Sequence, residues 1–105
     1  MSVECIKEGA EKFICKFDER MDTTKCMEAE KIITGELENI TEIIFDLTGV
    51  EYIASSFLRL CGIVARKVDQ DKFCITNVTP TVRRVFAISG LDKTLNLMQS
   101  KFKNK

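Results

Sequence analysis

The stretch Ile43-Ile44-Phe45-Asp46-Leu47-Thr48-Gly49-Val50-Glu51-Tyr52-Ile53-Ala54-Ser55-Ser56-Phe57-Leu58-Arg59-Leu60 decides the fold. Its apolar start reads as a buried strand, its middle as a short loop, and its end as the opening of an amphipathic helix. Two adjacent serines stand where the helix begins. Backbone N–H groups are free at such a place and the helix dipole is positive there. A phosphate is well held by that combination.

Working outward, residues 12–17 read as a strand and residues 3–6 as an earlier partner, with Gly9-Ala10 as the turn between them. Strands so close in sequence pair antiparallel. Asp22-Thr23-Thr24 supplies candidate caps for a helix whose Cys26, Ala29, Ile33 and Leu37 share one face. The next strand, 42–47, is nearly continuous in apolar residues, which predicts a central strand covered on both faces. In the second helix Phe57, Leu60, Cys61, Val64 and Val68 form the buried stripe, and Asp69-Gln70-Asp71 marks its exit. Residues 73–78 make a further strand. Thr79-Pro80 has the form of an N-cap followed by proline in the first turn, and Ser89-Gly90-Leu91 that of a glycine C-cap with an apolar contact. Residues 94–98 read as a short last strand. Strands alternating with helices after the second strand call for right-handed crossovers. The expected architecture is a small α/β domain over residues 1–98, with a mostly parallel sheet of four or five strands, an antiparallel N-terminal strand and about three helices. Residues 99–105 read as a flexible basic tail.

The bulk properties narrow the function. One domain of 105 residues, 45% hydrophobic and 30% charged, is an ordinary globular composition. Sixteen basic residues balance sixteen acidic ones, which argues against a general nucleic-acid binder. No apolar run approaches the roughly 20 residues of a membrane span, and Met1-Ser2-Val3-Glu4-Cys5 lacks the regions of a signal peptide. A cytoplasmic location without membrane insertion is expected. Five cysteines without a Cys-x-x-Cys pair, and no histidine, leave no ordinary zinc site. Cys15, Cys61 and Cys74 read as buried thiols of a reducing compartment. Without histidine no serine has the usual base, no glycine-rich loop has nucleotide-binding spacing, and the acidic residues are dispersed. Neither an enzyme nor a bound cofactor is expected.

The residues from about 12 to 98 carry a family pattern. Phe45-Asp46-Leu47-Thr48-Gly49-Val50 closes a strand, and Ala54-Ser55-Ser56-Phe57-Leu58 opens a helix. Asp22 precedes the first helix, and Asn77-Val78-Thr79-Pro80-Thr81-Val82-Arg83-Arg84-Val85-Phe86 and Ser89-Gly90-Leu91 follow in order. In this the chain resembles a STAS domain, and specifically the bacterial anti-sigma factor antagonists. The resemblance implies a transcription-regulating protein that, unphosphorylated, binds an anti-sigma factor or serine kinase of the partner-switching type. It implies a phosphoacceptor at Ser55, with Ser56 as second choice. The implied partner surface takes in Asp22, Ala54, Ser55, Ser56, Phe57 and Arg59. Two positions depart from the family phrase: Ala54 replaces an aspartate and Phe57 replaces a glycine.

Alternatives stand beside these assignments. Ser55 or Ser56 serves simply as the helix N-cap, a role worth roughly 1 kcal/mol. Asp22 and Thr79 serve as caps, and Asp46 accepts backbone hydrogen bonds in its loop. Phe57 either completes the core or projects as the apolar anchor of a constitutive, unphosphorylated scaffold module. A hydrophobic small-ligand binder is a third class. Either a monomer or a weak homodimer fits the sequence.

Overall fold

The computed structural model describes residues 3–9, 11–69, 72–90 and 97–99. Strands β1 (Val3–Glu8) and β2 (Lys12–Phe17) form the expected antiparallel pair. A two-residue strand β3 (Arg20–Met21) leads into helix α1 (Thr23–Thr34), followed by a 3-10 turn at Leu37–Asn39 and strand β4 (Glu42–Asp46). A second two-residue strand, β5 (Tyr52–Ile53), leads into α2 (Ser55–Lys67). Then come β6 (Phe73–Val78), α3 (Pro80–Ser89) and β7 (Leu97–Gln99). The main sheet has the order β1-β2-β4-β6-β7, parallel after the first pair, and β3 and β5 form a parallel sheet of their own. The α/β architecture is therefore the one the sequence predicts.

Caps set most helix ends. The Asp22 carboxylate accepts from the N–H of Lys25 at 3.0 Å and caps α1. Thr79 caps α3, with Pro80 in the first turn, and its hydroxyl also donates to the Val50 carbonyl at 3.0 Å. Gly90 ends α3 at φ 85°, a left-handed conformation open to a residue without a Cβ. The contact expected from Leu91 lies outside the described residues, as do Ala10, Gln70, Asp71, the first part of the predicted last strand and all of the expected tail except Gln99, which ends β7. Helix α1 stops before Leu37, which is buried in the 3-10 turn instead.

One expectation fails. Strand β4 is not covered on both faces: Ile43 and Phe45 are buried, while Glu42, Ile44 and Asp46 are partly exposed. The neighbours alternate in step. Phe13, Cys15 and Phe17 of β2 and Phe73 and Ile75 of β6 are buried, whereas Ile14 and Cys74 are not fully covered. The cause is the strand order. From β2 the chain steps always the same way across the sheet, so right-handed crossovers put every connecting helix on one face. On the other face a row of Ile6, Ile14, Ile44 and Cys74, in register across four strands, stays open. An apolar run thus need not mean two covered faces.

The covered face holds the core. Phe17, Phe45, Phe57 and Phe73 make a chain of edge-on and tilted ring contacts, with centroids 5.0 to 6.0 Å apart. Cys26, Ala29 and Ile33 of α1, Leu60, Cys61 and Val64 of α2, and Val82 and Phe86 of α3 join the same cluster.

Candidate functional site

The small sheet builds the site. Strands β3 and β5 run parallel with Met21 beside Ile53, so the next residues, Asp22 and Ala54, start their helices side by side. The N–H of Ala54 donates to the Met21 carbonyl at 2.9 Å and fixes the second helix start against the first. Met21 and Ile53 point inward and are buried, which anchors both short strands in the core. On the outer side the Arg20 guanidinium lies over the Tyr52 ring, 4.5 Å from its centroid. Arg20 and Tyr52 escape sequence reading because two-residue strands show no periodicity. The available signal is that a charged or aromatic residue and then an apolar one precede each helix start.

The two helix starts differ in chemistry. That of α1 carries the Asp22 carboxylate. That of α2 has Ala54 as its N-cap, in extended conformation, and no side chain caps the helix. Neither serine takes the capping role. Ser55 is the first residue of α2 and exposed, so its hydroxyl faces solvent beside uncapped backbone N–H groups. Its neighbour Ser56 turns inward. The Ser56 Oγ is buried without a well-formed hydrogen bond. It abuts the Cys26 thiol of α1, which burial pushes up and the Ser56 hydroxyl partly holds down.

Arg59 lies one turn beyond Ser55 on the same helix and is exposed, its guanidinium 3.4 Å from the Glu30 carboxylate of α1. Phe57 is 0% exposed, packed edge-on against Phe17 at 5.1 Å and tilted against Phe45 at 6.0 Å. It therefore belongs to the core and offers no side chain as an apolar anchor. Five of the six predicted partner-facing residues, Asp22, Ala54, Ser55, Ser56 and Arg59, fall on the paired helix starts, although Ser56 presents no hydroxyl to solvent.

The loop between β4 and β5 is tied down from within. The Asp46 carboxylate accepts from the Thr48 hydroxyl at 2.6 Å, the Thr48 N–H at 3.0 Å and the Asn77 side-chain amide at 3.0 Å. Burial works to raise its pKa. Those three bonds and the Lys16 charge outweigh burial and hold the carboxyl below its ordinary range. Asn77 adopts φ 57°, a left-handed conformation that asparagine tolerates, as it makes this bond. Asp46 thus has the structural role read from the sequence. Among the described residues no group of three or more His, Cys, Asp or Glu side chains is arranged to hold a metal ion. Nor is any helix among them long and apolar enough to cross a membrane.

The model of the STAS domain family matches residues 4–103. Among solved structures the chain is similar to an anti-sigma-factor antagonist (STAS) domain protein from Planctomyces limnophilus. There the identity is 18%, the TM-score 0.81, and the match covers 95% of this chain and 92% of that one. It is also similar to the anti-sigma factor antagonist SpoIIAA in its unphosphorylated form, at 20% identity and TM-score 0.80, over 93% of this chain and 86% of that one. The phosphorylated form of SpoIIAA, a Bacillus cell fate determinant, matches at 20% identity and TM-score 0.74, over 93% and 89%. No curated protein matches the chain in sequence. At these identities the solved structures establish a shared fold, and the family match covers nearly the whole chain: the protein belongs to the STAS domain family.

Proposed function

We propose that this protein is a partner-switching regulator of the anti-sigma factor antagonist kind, with Ser55 as its phosphoacceptor. Unphosphorylated, it binds a kinase-type anti-sigma factor through the paired helix starts. The observation that carries this reading is the exposed Ser55 hydroxyl at an uncapped helix N-terminus beside the Asp22 carboxylate. A phosphate there adds about −1.5 to −2 charge. In the free protein the α2 N-terminus accommodates that charge, and Arg59 is within one helical turn to help. Against a docked partner the same charge, next to Asp22, must be desolvated at the contact. The loss falls on the complex and not on the fold. Ala54 fits this scheme: the missing carboxylate leaves the N–H groups of α2 uncapped and removes a like charge from beside the phosphate.

The experiment is phosphopeptide mapping after incubation with ATP and a lysate of the source organism, with a known antagonist labelled in parallel. Fragment ions place the phosphate on Ser55, and Ser55→Ala abolishes it. Phosphate on Ser56, or none while the control is labelled, contradicts the proposal.

A further inference from the structure

Two cysteines outside the helix-start site form a cluster of their own. Cys5 of β1 and Cys15 of β2 are direct partners in the antiparallel register, and their sulfurs lie 3.5 Å apart. Cα atoms of such partners stand about 4.5 to 5.5 Å apart, inside the roughly 4.4 to 6.8 Å that a disulfide spans. The backbone is thus already placed for a bridge, and side-chain rotation closes the remaining gap. The two thiols differ in access. Cys15 is fully buried, whereas Cys5 is half-buried and lines an open groove of about 520 Å³ with Val3, Glu4 and Ile32. They differ in chemistry as well. A hydrogen bond joins the two sulfurs, and it brings the Cys5 pKa below the ordinary thiol value against the pull of burial and of Glu36. The same bond, together with burial, pushes Cys15 up. The reachable sulfur is that of Cys5, and the buried Cys15 sulfur waits 3.5 Å behind it.

We propose that Cys5 is a modification site for oxidants of the hydroperoxide class and that Cys15 is its resolving thiol, so that oxidation closes a reversible disulfide between β1 and β2. In the first step the Cys5 thiolate attacks one peroxide oxygen. An S–O bond forms, the O–O bond breaks and hydroxide leaves, giving a sulfenic acid. In the second step the Cys15 sulfur attacks the Cys5 sulfur. The S–S bond forms, the S–O bond breaks, and the hydroxyl departs as water with the Cys15 proton. Two thiols give up two electrons to one hydrogen peroxide, and two waters result. A dithiol reductant reverses the bridge by exchange. The consequence in the fold is an edge strand, otherwise held to β2 by hydrogen bonds and packing, that becomes covalently fastened at the groove facing α1.

The test is peroxide oxidation of the whole chain, followed by intact mass and tryptic mapping. Trypsin cuts after Lys7, Lys12 and Lys16, so the two cysteines fall in separate peptides, 1–7 and 13–16. The expected result is a mass loss of about 2 Da, the two hydrogens of disulfide formation, with these peptides linked and released again by dithiothreitol. Cys5→Ser removes the link. Cys15→Ala stops the reaction at a sulfenic acid on Cys5 that dimedone traps. Because Cys15 is buried and its variant can fail to fold, the wild-type and Cys5→Ser arms decide alone. The proposal is overturned if no peptides 1–7 and 13–16 are linked, or if Cys5 is oxidised no faster than the half-buried Cys74.

Discussion

The N–H of Ala54 donates to the carbonyl of Met21 at 2.9 Å, and that bond ties the start of α2 to the start of α1. Each helix follows directly on a two-residue strand, so the pairing of β3 with β5 sets the spacing of the two N-termini. The exposed Ser55 at one and the Asp22 carboxylate at the other share a surface because four residues of strand hold them there.

The uncapped start of α2 has a stability consequence. Replacing Ala54 with serine supplies a capping oxygen at a residue already in extended conformation. The expected gain is about 1 kcal/mol, or roughly 4–8 °C in the melting temperature of a domain this size. Thermal unfolding followed by circular dichroism reads it. An unchanged melting temperature would show that the α2 N–H groups are already satisfied.

Phe57 is expected to behave as a core residue. Truncation to alanine removes its contacts with Phe17 and Phe45 and leaves a cavity, at a cost of about 3–5 kcal/mol. Urea unfolding checks it: a midpoint close to wild type would place the ring outside the core. Phe57→Leu, which keeps most of the volume, is expected to cost distinctly less.

The depressed Asp46 carboxyl makes a contribution that depends on pH. An unfolded aspartate titrates near 3.8 and the folded one below it. Above the unfolded value the contribution to stability is complete, and it is lost as pH falls through the folded value. Asp46→Asn is expected to cost about 1–2 kcal/mol at neutral pH, because hydrogen bonds to a charged acceptor are weakened. It should also show a shallower loss of stability than wild type below about pH 4. Parallel denaturation curves for the two proteins across that range would contradict the role given to Asp46.

What the sequence discloses, and what it hides, follows from the range of the interactions. The strands β2, β4 and β6 and the stripe of α2 are written in periodic apolar residues, and the caps Asp22, Thr79 and Gly90 in local chemistry, so all were legible. The identity of the α2 cap was not. Ser55 and Ser56 have the right side chains, yet Ala54 occupies the N-cap because β5 ends one residue before it, and a two-residue strand depends on a partner distant in sequence. Ile44 misled for a similar reason: its exposure is decided by the order of strands, which no window around it contains. The pairing of Cys5 with Cys15 was implicit in the predicted hairpin, but the sulfur distance follows from a register that the turn alone sets.

The most direct test of the proposed partner switch is the affinity of wild-type, Ser55→Ala and Ser55→Asp proteins for the kinase-type anti-sigma factor proposed as partner, by isothermal titration without ATP. Neither variant removes a cap, so folding is expected to be preserved, and circular dichroism verifies it. The account predicts that Ser55→Ala binds as wild type does and that Ser55→Asp binds at least about tenfold more weakly, a difference of about 1.4 kcal/mol. Equal affinities for the two folded variants would contradict it, because the charge at Ser55 would then control nothing.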